Sequence, residues 1–94
     1  MKKPRLIVSY DIQSNRVRAR FSKFLMKHGV RLQYSVFELS HSQRMLNLIC
    51  NEIEMRFKPH FSSSDSVLIY RVDTLDVISY GSASLLDDDL IIIG

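Results

Sequence analysis

Apolar and polar positions follow two different rhythms along this chain. Leu6-Ile7-Val8-Ser9-Tyr10-Asp11-Ile12 is short and rich in β-branched and aromatic residues, which predicts a strand. Pro4 before it and Gln13-Ser14-Asn15 after it bound it with strand breakers and helix caps. The spacing then becomes helical. Val17, Phe21, Phe24, Leu25 and His28 share one face of a helix that Ser14 or Asn15 caps. That helix is expected to run to about His28, with Gly29 in the left-handed position just beyond its end. Val30 to Leu39 is extended again, and suits one long strand or two short ones folded at Tyr34-Ser35. Ser40-His41-Ser42-Gln43 has the spacing of a capping box. It opens a second helix with Met45, Leu46, Ile49, Ile53 and Phe57 on one face. Pro59 is expected to stop it, His60 to Asp65 to form a loop, and Ser66 to Val72 to form a further strand.

Folding the middle stretch back on itself produces the order βαββαβ, an α+β ferredoxin-like plait. Such a sheet carries both helices on one face and leaves the other bare. The first strand is nevertheless apolar on both sides, with Leu6, Val8 and Tyr10 alternating against Ile7, Ser9 and Asp11. A strand that faced water would alternate more cleanly. The bare face is therefore expected to be covered by a second copy of the same sheet, in a two-fold homodimer. Val77 to Tyr80 predicts a fifth strand. Leu90 to Ile93 is apolar and β-prone, an edge that needs covering. The stretch 81–94 is expected to be a tail that pairs with the partner subunit or docks on another protein.

Ninety-four residues imply one domain, 1–94, without internal repeat or linker. No apolar run nears the ~20 residues of a membrane span. The basic start is followed by too short an apolar run for a secretory signal, and the single cysteine, Cys50, allows no internal disulfide. Both point to the cytoplasm. The net charge of +3 conceals an asymmetry. Ten of the thirteen basic residues fall between Met1 and Arg44, and eight of the ten acids between Met45 and Gly94. A basic half suggests a polyanion as partner, and phosphate backbones are the commonest. The competing reading is a solvated surface.

Asp11 is the leading candidate for chemistry. In a dimer packed sheet to sheet, it can approach its symmetry mate. A hard divalent cation, Mg²⁺ or Mn²⁺ retaining several waters, would relieve the repulsion and serve phosphodiester hydrolysis. The competing reading gives Asp11 only a role at the start of the first helix, through the helix dipole. Arg16, Arg20, Lys23 and Lys27 recur at i, i+4, i+7 and i+11, placing four cations in one stripe opposite the apolar face. Arg16, Arg18, Arg20 and Arg31 offer forks that match phosphate. Tyr10, Tyr34 and Phe37 could stack on bases, although Tyr10 and Phe37 also suit the core. The histidines His28, His41 and His60 have no metal-site spacing, Glu52 and Glu54 point to different sides of their helix, and Asp87-Asp88-Asp89 suits a solvated linker. There is no glycine-rich phosphate loop.

Tyr10-Asp11-Ile12, the Arg-rich helix up to Gly29, and Arg31-Leu32-Gln33-Tyr34-Ser35-Val36-Phe37-Glu38 together resemble the CRISPR-associated protein two family. The closing Asp88-Asp89-Leu90-Ile91-Ile92-Ile93 is similar to tails in that family. The resemblance implies a ferredoxin-like homodimer with Asp11 as the metal-binding carboxylate at its interface. It further implies that Tyr10, Arg18, Arg20, Arg31 and Phe37 influence nuclease activity. Members are Mg²⁺-dependent nucleases of single-stranded RNA or double-stranded DNA. They also form the DNA-binding centre of the complex with the spacer integrase, CRISPR-associated protein one, where the Asp can be dispensable. Gln13-Ser14-Asn15 is poorer in acids than this loop is in many members. The expected nucleic-acid contacts are Arg16, Arg20, Lys23, Lys27 and Arg31. Two alternatives stand beside the nuclease: a non-catalytic scaffold that binds only duplex DNA and the integrase, and a toxin-type ribonuclease of related fold. A regulatory module for small molecules is disfavoured by the basic stripe.

Overall fold

The computed structural model describes residues 4–73, 78–81 and 91–92. Strand β1 (Arg5–Asp11) is followed by helix α1 (Asn15–Met26), strands β2 (Gly29–Gln33) and β3 (Val36–Ser40), and helix α2 (Gln43–Glu52). One π turn (Ile53–Phe57) and one 3₁₀ turn (Lys58–His60) extend α2, and β4 (Ser66–Val72) closes the unit. The sheet order is β2-β3-β1-β4, antiparallel throughout. This is the ferredoxin-like arrangement expected from the sequence, with the middle stretch folded at Tyr34-Ser35.

The pleat of β1 sorts the molecule into two sides. Leu6, Val8 and Tyr10 face the helices and are buried with Phe37 and Leu39 of β3. Phe21 and Leu25 of α1, and Ile49 and Phe57 from the second helical segment, close the core over them. Phe21 is its hub, with ring centroids 4.9 Å from Tyr10 and 5.0 Å from Phe57, both edge to face. Aromatic pairs in that geometry contribute roughly 0.5–1.5 kcal/mol beyond their burial.

Several boundaries differ from the expectation. Helix α1 ends at Met26, with Lys27 as its cap in right-handed conformation. Gly29 has no left-handed backbone; among the described residues only Gly81 has positive φ, at 76°. Gly29 instead opens β2 opposite Leu39, so close to β3 that a Cβ would overlap the Glu38 carbonyl oxygen. Ser42, not Ser40, caps α2, its Oγ accepting from the Met45 N–H at 3.0 Å. Ser40 is instead part of β3. Pro59 does not stop a regular helix. It lies early in the 3₁₀ turn, where its missing N–H costs nothing. The π turn had no sequence signal. Within it Phe57 is buried in the core, on the face the apolar spacing predicts, while Met55 is exposed.

Beyond β4, β5 (Ile78–Ser79) and β6 (Ile91–Ile92) pair with each other in parallel. The two apolar tail segments thus meet within one chain. The acidic run Asp87-Asp88-Asp89 lies outside the described residues.

One side chain ties the segment leaving β1 to the loop entering β4. The Asp65 carboxylate, just before β4, accepts from the backbone N–H of Gln13 at 2.9 Å and of Ser62 at 2.9 Å, and from the Ser62 hydroxyl at 2.9 Å. These donors, that of Gln13 foremost, hold its pKa below the ordinary 3.8. Because the folded pKa is depressed, the latch contributes stability above that ordinary value and loses it as pH falls through the folded pKa.

Two substitutions test these contacts. Gly29→Ala is expected to cost about 1–3 kcal/mol, since the clash is with backbone, lowering Tm by several degrees in thermal denaturation. Asp65→Asn is expected to be less stable than the parent at neutral pH, with the Tm difference shrinking as pH drops below about 4.

Candidate nucleic-acid and metal site

Asp11 ends β1 on the face away from the helices, opposite Ser66 of β4. It is exposed; its Oδ1 accepts from Gln13 Nε2 at 3.2 Å, and Oδ2 has no hydrogen-bond partner among the described residues. The same face carries Ile7, Ser9 and Val36, half-buried, and Leu68 and Tyr70, which are 55% and 51% exposed. At its far end Arg5 Nε donates to Glu38 Oε2 at 2.9 Å in a buried ion pair. Removing one partner of such a pair typically costs about 3–5 kcal/mol. The face is therefore an apolar patch with a buried charge pair at one end and a lone carboxylate at the other.

The segment that follows Asp11 is gripped from both sides. Asp65 takes the Gln13 N–H. From α1, Arg18 Nη1 donates to the Ile12 carbonyl at 2.9 Å and, at a long 3.5 Å, to that of Gln13. Arg18 Nη2 also donates to Asn15 Oδ1. Arg18 is thus committed to backbone and positions the chain next to Asp11.

Tyr10, Arg31 and Phe37 project from the opposite face of the sheet. Together with Arg18, Asn15, Ser22 and Tyr34, Tyr10 and Arg31 line a cavity of about 250 Å³. The Arg18 guanidinium lies 5.9 Å from the Tyr34 ring centroid, and that of Arg31 lies 5.2 Å from the Phe37 centroid. Tyr34 is 69% exposed and free to stack, whereas Phe37 and Tyr10 are core residues. Burial pushes the Tyr10 phenol above its ordinary value, against the opposing influence of the Arg31 guanidinium. The phenol is neutral at physiological pH and can serve as a hydrogen-bond donor but not as a general base.

The expected site residues therefore form three groups rather than one. Asp11 is on the open face; Tyr10, Arg18 and Arg31 line the cavity at the other face, with Phe37 in the core beneath Arg31; Arg16, Arg20, Lys23 and Lys27 run along α1, all exposed. No group of three His, Cys, Asp or Glu side chains assembles a metal site among the described residues. The donor chemistry of Asp11 fits a hard cation that keeps most of its waters. Sequence reasoning missed Asp65 and Gln13. The Ser-Ser-Ser-Asp run signals a turn, but not the reach of Asp65 to a residue 52 positions away. It also missed Arg56 and His60, which meet α1 only through the π and 3₁₀ turns.

Comparison with known proteins extends this picture. A CRISPR-associated endoribonuclease Cas2 of Chloroflexus aurantiacus is 36% identical over 67 residues, 71% of this chain and 69% of that protein. A second, from Methanospirillum hungatei, is 35% identical over 54 residues, 53% of this chain and 61% of the relative. Among solved structures, the Thermus thermophilus protein TT1823 superposes with a TM-score of 0.70 at 27% identity, covering 90% of this chain and 98% of its own. A crystal structure of a Cas2 protein matches at 0.58 and 36% identity, covering 74% and 75%. The family model described as CRISPR associated protein Cas2 matches residues 4–77. With its plait, its open sheet face and its Tyr10-Asp11-Ile12 strand end, the chain belongs to the Cas2 family.

Proposed function

We propose that this protein is a CRISPR-associated endonuclease that works as a homodimer joined by the open sheet faces. Asp11 from each copy comes to the common axis and holds Mg²⁺ or Mn²⁺ for phosphodiester hydrolysis of RNA or DNA. The observation that carries the reading is the exposed Asp11 at the end of the sheet face left without helices, beside half-exposed Leu68 and Tyr70. The names of the relatives, CRISPR-associated endoribonucleases, support the same activity.

The roles follow from the geometry. Burying Leu68 and Tyr70 against their mates would supply the association energy, at roughly 1.5–3 kcal/mol per large side chain fully buried. Asp11 offers Oδ2 while Gln13 orients Oδ1. Arg18 and Asp65 fix the backbone beyond it. A bound ion would supply an activated water and stabilise charge on the phosphorane-like transition state. Arg16, Arg20, Lys23 and Lys27 attract the polyanion, and Tyr34 offers a ring for base stacking.

Two features favour a second reading: Asp11 brings a single carboxylate per chain, and the cationic stripe lies in the helix layer, across the sheet from it. On that reading the dimer is a non-catalytic DNA-binding scaffold for the spacer integrase. No described helix is long and apolar enough to cross a membrane, and a cytoplasmic location suits either role.

Asp11→Ala is expected to lower Mg²⁺- or Mn²⁺-dependent cleavage on the order of 10²-fold or more with the dimer intact by light scattering. Cleavage at the parent rate in that variant would transfer the activity elsewhere and leave the scaffold. Tyr70→Glu is expected to yield a folded monomer with no cleavage; a stable dimer carrying this charge would exclude the open face as the interface.

A further inference from the structure

Three of the four exposed cations of the α1 stripe border a cleft. Arg20, Lys23 and Lys27 form one wall of a cleft of about 590 Å³ whose other wall is the π and 3₁₀ extension of α2, bearing Arg56 and His60. Phe24 and Phe57, their centroids 5.4 Å apart, lie at its base and join it rigidly to the core. The Arg56 guanidinium sits 5.3 Å from the centroid of the Phe57 ring and pairs with Glu52 at 2.7 Å, which holds it at the rim. No carboxylate pairs with Arg20, Lys23 or Lys27 among the described residues. Four permanent cations and an imidazole thus share one trough with a single acid in contact. An anion from outside would relieve their repulsion.

The shape favours an extended anion over a compact one. Arg20 to Lys27 covers seven residues of helix, about 10 Å, which matches the axial run of roughly three to four phosphates on one strand. Arg56 contributes a planar fork suited to phosphate oxygens. The sheet lies between this cleft and Asp11, so a strand lodged here is not the one at the Asp11 carboxylate of the same chain.

We infer that the cleft between α1 and the α2 extension is a backbone-anchoring subsite for nucleic acid, with Arg56 as its second wall. It grips a sugar-phosphate strand that is held rather than cut. The inference rests on the nucleic-acid reading above but does not need cleavage.

The test is titration of a short labelled DNA duplex, by fluorescence anisotropy across a NaCl series, with Arg56→Gln, Lys23→Gln, the double variant, and Lys58→Gln/Arg44→Gln as a control of equal charge change. Lys58 pairs with Glu54 outside the cleft, and Arg44 is exposed at the start of α2. Arg56→Gln alone should reduce the slope of log K against log salt by about one, and the double variant by about two, with the control nearly unchanged. Dichroism should report the parent fold throughout, since Arg56 is exposed. An unaltered slope in Arg56→Gln would show that α1 acts alone and overturn the cleft. An equal loss in the control would reduce the effect to net charge and overturn it too. Cleft-dependent binding by a protein that cleaves nothing would support the subsite while removing the nuclease reading.

Discussion

Everything in this domain depends on the two-residue period of β1. Because successive side chains point to opposite faces, Leu6, Val8 and Tyr10 enter the aromatic core while Ile7, Ser9 and Asp11 line the uncovered face. A slip of one residue would bury the carboxylate under the helices and expose the core. The register is held by β3 on one side and β4 on the other, with Ile7 paired to Glu38 and Tyr70. The buried Arg5–Glu38 pair penalises any other alignment, since it would leave a charge in the interior unmatched.

The consequence for function is a division of labour across the sheet. The open face has one carboxylate and an apolar patch, which suits a symmetric contact. The helix layer has the cations. Between them, the segment after Asp11 is held by Arg18 from α1 and by Asp65 from the β4 side. Arg18 therefore influences the Asp11 end of the strand through backbone hydrogen bonds, although its side chain is on the other side of the sheet. Membership of the Cas2 family agrees with the nuclease half of this arrangement.

The second helical segment shows how a local irregularity shapes a surface. Phe57 packs edge to face on Phe21 and tilted on Phe24. The π turn at Ile53–Phe57 adds one residue to the helical turn just ahead of the 3₁₀ turn that bears His60. The Phe57 ring, Arg56 and His60 line the same cleft as Arg20, Lys23 and Lys27 of α1.

Much of the architecture was legible from local physics. The apolar periods located β1, α1, α2 and β4, and the turn at Tyr34-Ser35 was one of two foreseen foldings. The exposed stripe of Arg16, Arg20, Lys23 and Lys27 follows from spacing alone. The apolar part of the open face, by contrast, comes mainly from Val36, Leu68 and Tyr70 of the neighbouring strands, since β1 itself adds only Ile7 there beside Arg5, Ser9 and Asp11. The features that stayed hidden depend on contacts between residues far apart in the chain. Gly29 looks like a helix cap until β3 is placed against it, and Asp65 looks like a turn residue until Gln13 arrives beside it. The separation of Tyr10 from Asp11 is a matter of neighbouring residues on opposite faces, but only the helices decide which face is covered. Short-range propensity determines what each segment is; the tertiary fold decides which side chains share water, charge and space.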